Sequence, residues 1–198
     1  MMKHLQPTGF LFFYSFILLF FSASASAQSA EKLYQEGKQL YDAKSYDAAF
    51  PKLKAAAEKG HKKAQYRLGR CYDKGHGTAE NDEQAVAWYT KAADQGHAKA
   101  LYELGKCYKN GEGVEKDRKK AVELFTKAAK QENADAELAL GKAYMKGKGI
   151  AADQKLAKKW LSRAVSNPKG GDDILKELRK EAADGDEDAI AILKLLKK

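Results

Sequence analysis

The chain has 198 residues, with 36 Lys and Arg against 27 Asp and Glu, for a formal net charge of +9. Its composition fits a helical, exported protein with a basic, soluble mature form. A basic chain invites a nucleic-acid reading, but an export signal removes it from the genome, and lysines scattered over exposed helix positions serve solubility; no nucleic-acid partner is expected.

Taken in chain order, the first segment has a thin basic start at Lys3 and His4, an apolar run from Phe10 to Phe21, and small residues ending in Ala25-Ser26-Ala27. This is the pattern of a cleavable secretory signal over residues 1–27. A membrane span needs about 20 apolar residues, more than this run supplies, so no integral membrane segment is expected after cleavage. No cysteine lies near the cleavage site to carry a lipid, and loss of Lys3 leaves the mature chain at +8. The predicted location is periplasmic or secreted.

Residues 28–198 read as one α-solenoid domain. Residues 28–60 carry Leu33, Gly37, Tyr41, Tyr46, Ala49, Leu53 and Ala56, a short helical hairpin with Ser29 as its candidate N-cap. Then Leu-Gly-x-x-Tyr-x-x-Gly-x-Gly recurs every 36 residues: Leu68 to Gly77, Leu104 to Gly113, and Leu140 to Gly149. A fixed period of this length marks stacked units that cannot bury their apolar faces alone. Ala64, Leu68, Gly69 and Tyr72, with their equivalents, share one helical face. The two glycines of the following loop make positive φ cheap. Asn81, Asp117 and Asp153 then sit four residues before Ala85, Ala121 and Ala157, where they predict N-caps for a second helix. That helix alternates bulk with alanine, as in Ala85, Trp88, Tyr89, Ala92 and Ala93, so paired helices approach closely. Ser166 to Gly171 breaks the pattern. Ile174, Leu175, Leu178 and Ala182 suggest a further helix, and Gly185, Ala189 and Leu193 repeat the spacing of Gly60, Ala64 and Leu68; residues 169–198 are read as capping helices.

Residues 61–168 closely resemble the Sel-one-like repeat, a relative of the tetratricopeptide repeat. The middle unit fits best, with Gly113-Val114, Asp117, Lys120-Ala121, Leu124-Phe125 and Lys127-Ala128-Ala129; Thr78, Asn81 and Leu156 are mild departures elsewhere. Residues 28–60 look more like a plain tetratricopeptide hairpin. The resemblance implies an all-α fold, a right-handed α-solenoid of stacked helix-turn-helix repeats, and the role of a non-enzymatic adaptor or scaffold that binds proteins. In the tetratricopeptide fold, ligand-facing positions lie three before and one after the first-helix glycine. Carried onto this chain, that implies a groove lined by Tyr34, Lys38, Tyr66, Arg70, Tyr102, Lys106, Leu138 and Lys142, with Lys74, Lys109 and Lys146 able to add to it. The two positions are i and i+4, so ring and cation share a helical face. Such a groove wants an acidic or extended segment of another envelope protein. The competing reading is that the tyrosines seal the hairpins while the cations merely solvate an open face.

The remaining candidates are weaker. Cys71 and Cys107 occupy one repeat position, about 10 Å apart if the hairpins stack normally, whereas a disulfide needs Cα atoms within about 7 Å; buried thiols are expected and no disulfide. His61 and His97 also share a position, read as polar turn residues, with no metal-ligand spacing around them. Gly75-x-Gly77 lacks the strand and Gly-Lys-Ser/Thr of a phosphate loop. Ser29-Ala30-Glu31-Lys32 matches Ser-x-x-Lys, yet no Ser-Asp-Asn or Lys-Thr-Gly accompanies it. No catalytic residue, metal or cofactor is therefore predicted. Besides an adaptor, two readings remain: an immunity or inhibitor protein that sequesters a secreted toxin or hydrolase, and a β-lactam or cell-wall-acting enzyme.

Overall fold

The computed structural model describes residues 29–197; the expected signal, residues 1–27, lies outside them. The described residues form ten helices and no strand: α1 (residues 29–42), α2 (Tyr46–Glu58), α3 (Lys62–Lys74), α4 (Asp82–Asp94), α5 (Ala98–Asn110), α6 (Arg118–Ala129), α7 (Ala134–Lys146), α8 (Gln154–Ser166), α9 (Gly171–Ala183) and α10 (Glu187–Lys197). Each packs mainly against its chain neighbours, as a one-dimensional stack of hairpins should.

The helix boundaries follow from local hydrogen bonding. Asn81, Asp117 and Asp153 each accept the backbone N–H three residues on, from Gln84, Lys120 and Leu156, at 2.8–2.9 Å. These satisfy donors that a helix start otherwise leaves unpaired. The odd helices use a less expected cap. His61 and His97 accept through Nδ1 from the N–H of Ala64 and Ala100 at 3.2 Å, and Asn133 does the same for Ala136 at 2.8 Å. The two histidines thus sit in the turns between hairpins, as expected, and also cap the helices that follow. At the other end, Gly75, Gly111 and Gly147 are left-handed C-caps whose N–H groups return to Cys71, Cys107 and Ala143.

The second glycine of each loop has a different job. A Cβ on Gly77, Gly113 or Gly149 would lie 2.3 Å from a backbone atom of Tyr46, Asp82 or Arg118 respectively, at or just before the start of the preceding repeat's second helix. The loop of one repeat therefore docks directly on backbone of the one before, at a position where φ is also positive. Within a hairpin the helix glycine takes a ring or branched chain against its backbone: Gly69 meets Tyr89, Gly105 meets Phe125 and Gly141 meets Leu161. Around these contacts lie fully buried alanines, including Ala64, Ala92, Ala128 and Ala164, and leucines such as Leu53, Leu68 and Leu161. Each such leucine contributes about 1.5–3 kcal/mol by leaving water.

The C-terminal hairpin starts differently. Glu137 at the base of α7 is only 1% exposed; it accepts from Arg163 at 2.8 and 3.0 Å and from Asn167 Nδ2 at 2.9 Å, which compensates its burial. Asn167 Nδ2 also donates to the Glu132 carbonyl, while its Oδ1 accepts from Lys169 N. Side-chain bonds thus stitch the end of the third repeat to the turn into α9. In α10 the buried pair is Ala189 and Ile192, with Leu193 only partly covered. The match to Ala64 and Leu68 is therefore displaced by one residue.

A basic cleft between α5 and α7

The eight groove positions do not share one environment. Tyr34 is 6% exposed, its ring stacked on His61 at 4.4 Å, and Tyr66 stacks likewise on His97 at 4.8 Å. Each ring thus covers the histidine that caps the next odd helix. Asn133 takes that place in the third copy and offers no ring, so Tyr102 keeps only its tilted contact with Phe125 at 5.8 Å, the counterpart of Tyr66 against Tyr89 at 6.1 Å. Among the cations, Lys38 pairs with Asp42 at 2.7 Å, and Arg70 stands beside the Tyr66 phenol. Lys106 pairs with Glu103 at 2.8 Å and lies over the Tyr102 ring. Burial opposes the Lys106 charge, but the Glu103 hydrogen bond and charge outweigh it and hold its pKa above the ordinary lysine value.

Tyr102 and the two remaining positions, Leu138 and Lys142, line one cleft of about 390 Å³ that opens between α5 and α7 across α6. Its apolar wall is Ala121, Val122 and Phe125 of α6 with Leu138, Ala139 and Ala143 of α7. Over it stand Lys109 from α5, Lys116 and Arg118 from the loop and first turn of α6, Lys142 and Lys146 from α7, and Lys148 beyond it. Two acids, Asp135 and Asp188, complete the lining. Lys146 is paired with Asp188 of α10. Among the described residues, the side chains of Lys109, Lys116, Arg118, Lys142 and Lys148 make no ion pair or hydrogen bond.

The local field records this crowding. Burial first, and then the Lys106 charge, hold the Lys109 ammonium below its usual pKa, with Lys142 and Lys148 adding to the effect. Burial and the nearby Asp135 push the Tyr102 phenol up to about 12, so it stays a neutral donor and acceptor. The cleft can therefore hold an anion against fixed positive charge while an apolar group leaves water on its wall. No cluster of three potential metal ligands occurs among the described residues, and Cys71 and Cys107 are buried thiols pushed up to about 12 by burial.

Lys116, Arg118 and Lys148 were absent from the groove read in the sequence, because mapping by the first helix alone ignores the loops and the second helix. A signal for them existed in the 36-residue register. Asp73, Glu80 and Asp82 of the first repeat correspond to Lys109, Lys116 and Arg118 of the second, and Glu112 of the second to Lys148 of the third. At those four positions every charge changes sign.

A stack of helical hairpins with a ligand-sized cleft between successive units is the architecture of a helical-repeat interaction scaffold. The Sel1 repeat matches residues 62–97, 98–133 and 134–168, and the chain belongs to that family. Two solved structures share the fold. A Sel1 repeat protein from Oxalobacter formigenes is 32% identical, with 79% of this chain and 72% of that one covered and a TM-score of 0.65. The protein c5321, a protective antigen of uropathogenic Escherichia coli with an SLR fold, is 30% identical with a TM-score of 0.69; the match covers 85% of this chain but 41% of that one. No curated protein matches the sequence. Repeats of this family generally mediate contacts between proteins and do not typically catalyse reactions.

Proposed function

We propose that this protein is an exported adaptor, periplasmic or secreted, which holds an acidic or extended segment of another envelope protein in a basic, tyrosine-lined groove. The observation that carries this reading is the set of unpaired cations standing over an apolar wall between α5 and α7. Cations kept only for solubility gain nothing from being gathered around a cleft; brought together, they repel one another, and an anionic ligand relieves that repulsion.

The test is capture from envelope extract with residues 28–198, followed by reconstitution with the purified candidate partner. A protein that binds saturably, and more weakly as salt rises, is expected. Recovery of anionic glycan alone, with no protein that survives reconstitution, would overturn the adaptor reading.

A further inference from the structure

The first repeat builds the same groove between α3 and α5, yet fills it differently. Asp73 there accepts from the Tyr89 hydroxyl at 3.3 Å, Glu103 holds Lys106, and Glu80 and Asp82 stand where the next repeat has Lys116 and Arg118. Its charges are of both signs and partly satisfied internally. In the cleft between α5 and α7, Glu103 is replaced in register by Ala139, and Lys142 is left without its acid. The same scaffold thus offers one groove with charges of both signs and one dominated by cations.

The cleft also specifies the shape of its ligand. Val122, Phe125 and Leu138 provide an apolar wall, and cations approach from α5, from the start of α6 and from α7. A polyanion without apolar groups would satisfy the cations and leave that wall unused. An apolar peptide would do the reverse. In an extended chain alternate side chains point to opposite sides, so an apolar residue turned into the cleft places its two neighbours outward, within reach of long lysines at the rim.

Resting on the adaptor reading, we infer that this cleft is the anchor of the groove and that it takes an internal acidic peptide segment of the partner with one apolar side chain between carboxylates. The apolar side chain packs on Val122, Phe125 and Leu138, and the carboxylates meet Lys109, Lys142 and Arg118.

The experiment selects random decapeptides, displayed internally on phage, against immobilised residues 28–198. Enriched sequences are then synthesised with both ends blocked and titrated against the native chain and two variants. One variant is Lys109→Glu with Lys142→Glu. The other, Lys54→Glu with Lys155→Glu, makes the same change in net charge at exposed positions of α2 and α8. Neither pair makes a side-chain bond in the structure, so both variants should melt within a few degrees of the native chain. The expected result is an acidic-apolar-acidic motif whose binding falls at least about tenfold in the cleft variant and less than about twofold in the control. Serine in place of the central apolar residue should weaken binding about fivefold or more. A peptide that binds both variants equally would overturn the cleft as anchor and leave the adaptor reading standing. Polyphosphate or polyglutamate competing as well as the peptide does would overturn the apolar anchor in favour of an anionic polymer. Failure to enrich any peptide would count against this inference and the adaptor reading together, and a partner still captured from extract would separate the two.

Discussion

The groove between α3 and α5 and the cleft between α5 and α7 come from one 36-residue unit, yet the first carries charges of both signs and the second is dominated by cations. Their packing is the same. Gly69 against Tyr89 and Gly105 against Phe125 both leave no room for a Cβ, and both loops dock on the preceding repeat through a second glycine, Gly77 and Gly113. Their solvent-facing positions have diverged: Asp73 to Lys109, Glu80 to Lys116, Asp82 to Arg118, Glu103 to Ala139. A repeat array separates the two kinds of position. Residues at contacts between units are fixed by sterics, whereas those facing the groove can change sign without disturbing the stack.

The largest expected effect tests the shared half of this comparison. Gly69→Val and Gly105→Val would each place a Cβ 2.6 Å from an aromatic ring carbon, and each should cost about 1–3 kcal/mol of stability by overpacking. Denaturant melts should show similar losses at the two sites; a large difference would mean the grooves are not equivalent scaffolds.

The second prediction exchanges the half that differs. Lys116→Glu with Arg118→Asp gives the cleft the acids of its predecessor, and should weaken binding of an acidic peptide about tenfold and flatten its salt dependence. The converse pair, Glu80→Lys with Asp82→Arg, should give the α3–α5 groove measurable affinity for the same peptide. Isothermal titration over a salt series reads both.

A smaller effect distinguishes the caps at the two ends of the cleft. His97 at the start of α5 has its pKa lowered to about 4, chiefly by burial and then by Lys62 and Lys99, whereas Asn133 at the start of α7 cannot titrate. Its neutral form accepts from Ala100 N, so its folded pKa lies below the unfolded value of about 6.5. The stability it contributes is therefore complete above pH 6.5 and is lost as the pH falls toward 4. His97→Asn, which copies the third repeat, should remove that part of the acid destabilisation, seen as a smaller drop in Tm between pH 6.5 and 4.

The smallest effect concerns the turns between hairpins. Gly60 and Gly96 have φ of +84° and +74°, while Glu132 holds the same place at +60°. Glu132→Gly should relieve the left-handed strain and raise Tm by roughly 2 °C or less, because glycine's extra unfolded-state entropy and the loss of the exposed Lys169 pair offset part of the gain. Thermal melts of the pure variant decide it.

Much of the fold was legible in the residues. Asn81, Asp117 and Asp153 were readable as caps because a cap bonds to its own chain three residues away. The first-helix glycines were readable as close approaches because alanine and bulk alternate in the facing helix. The histidine caps were not, since His61 and His97 accept through one ring nitrogen while stacking on tyrosines of the preceding helix. The groove was only partly legible. Tyr102, Leu138 and Lys142 do meet in one cleft, but Tyr34 is buried beneath the next repeat's histidine, and Lys38, Arg70 and Lys106 have partners of their own.

The sequence by itself determined the period, the start of the second helix in each repeat and the membership in the Sel1 repeat family. Those depend on hydrogen bonds within a turn or two of chain and on small residues recurring every 36 positions. Lys38–Asp42 and Lys106–Glu103 are pairs within one helix and follow from spacing; tertiary structure alone decided that Lys109, Lys116, Arg118, Lys142 and Lys148 gather around one cleft. A pair such as Lys146–Asp188 depends on side-chain atoms meeting across packed helices, and a lysine in the sequence carries no mark of whether a distant acid will be there to meet it.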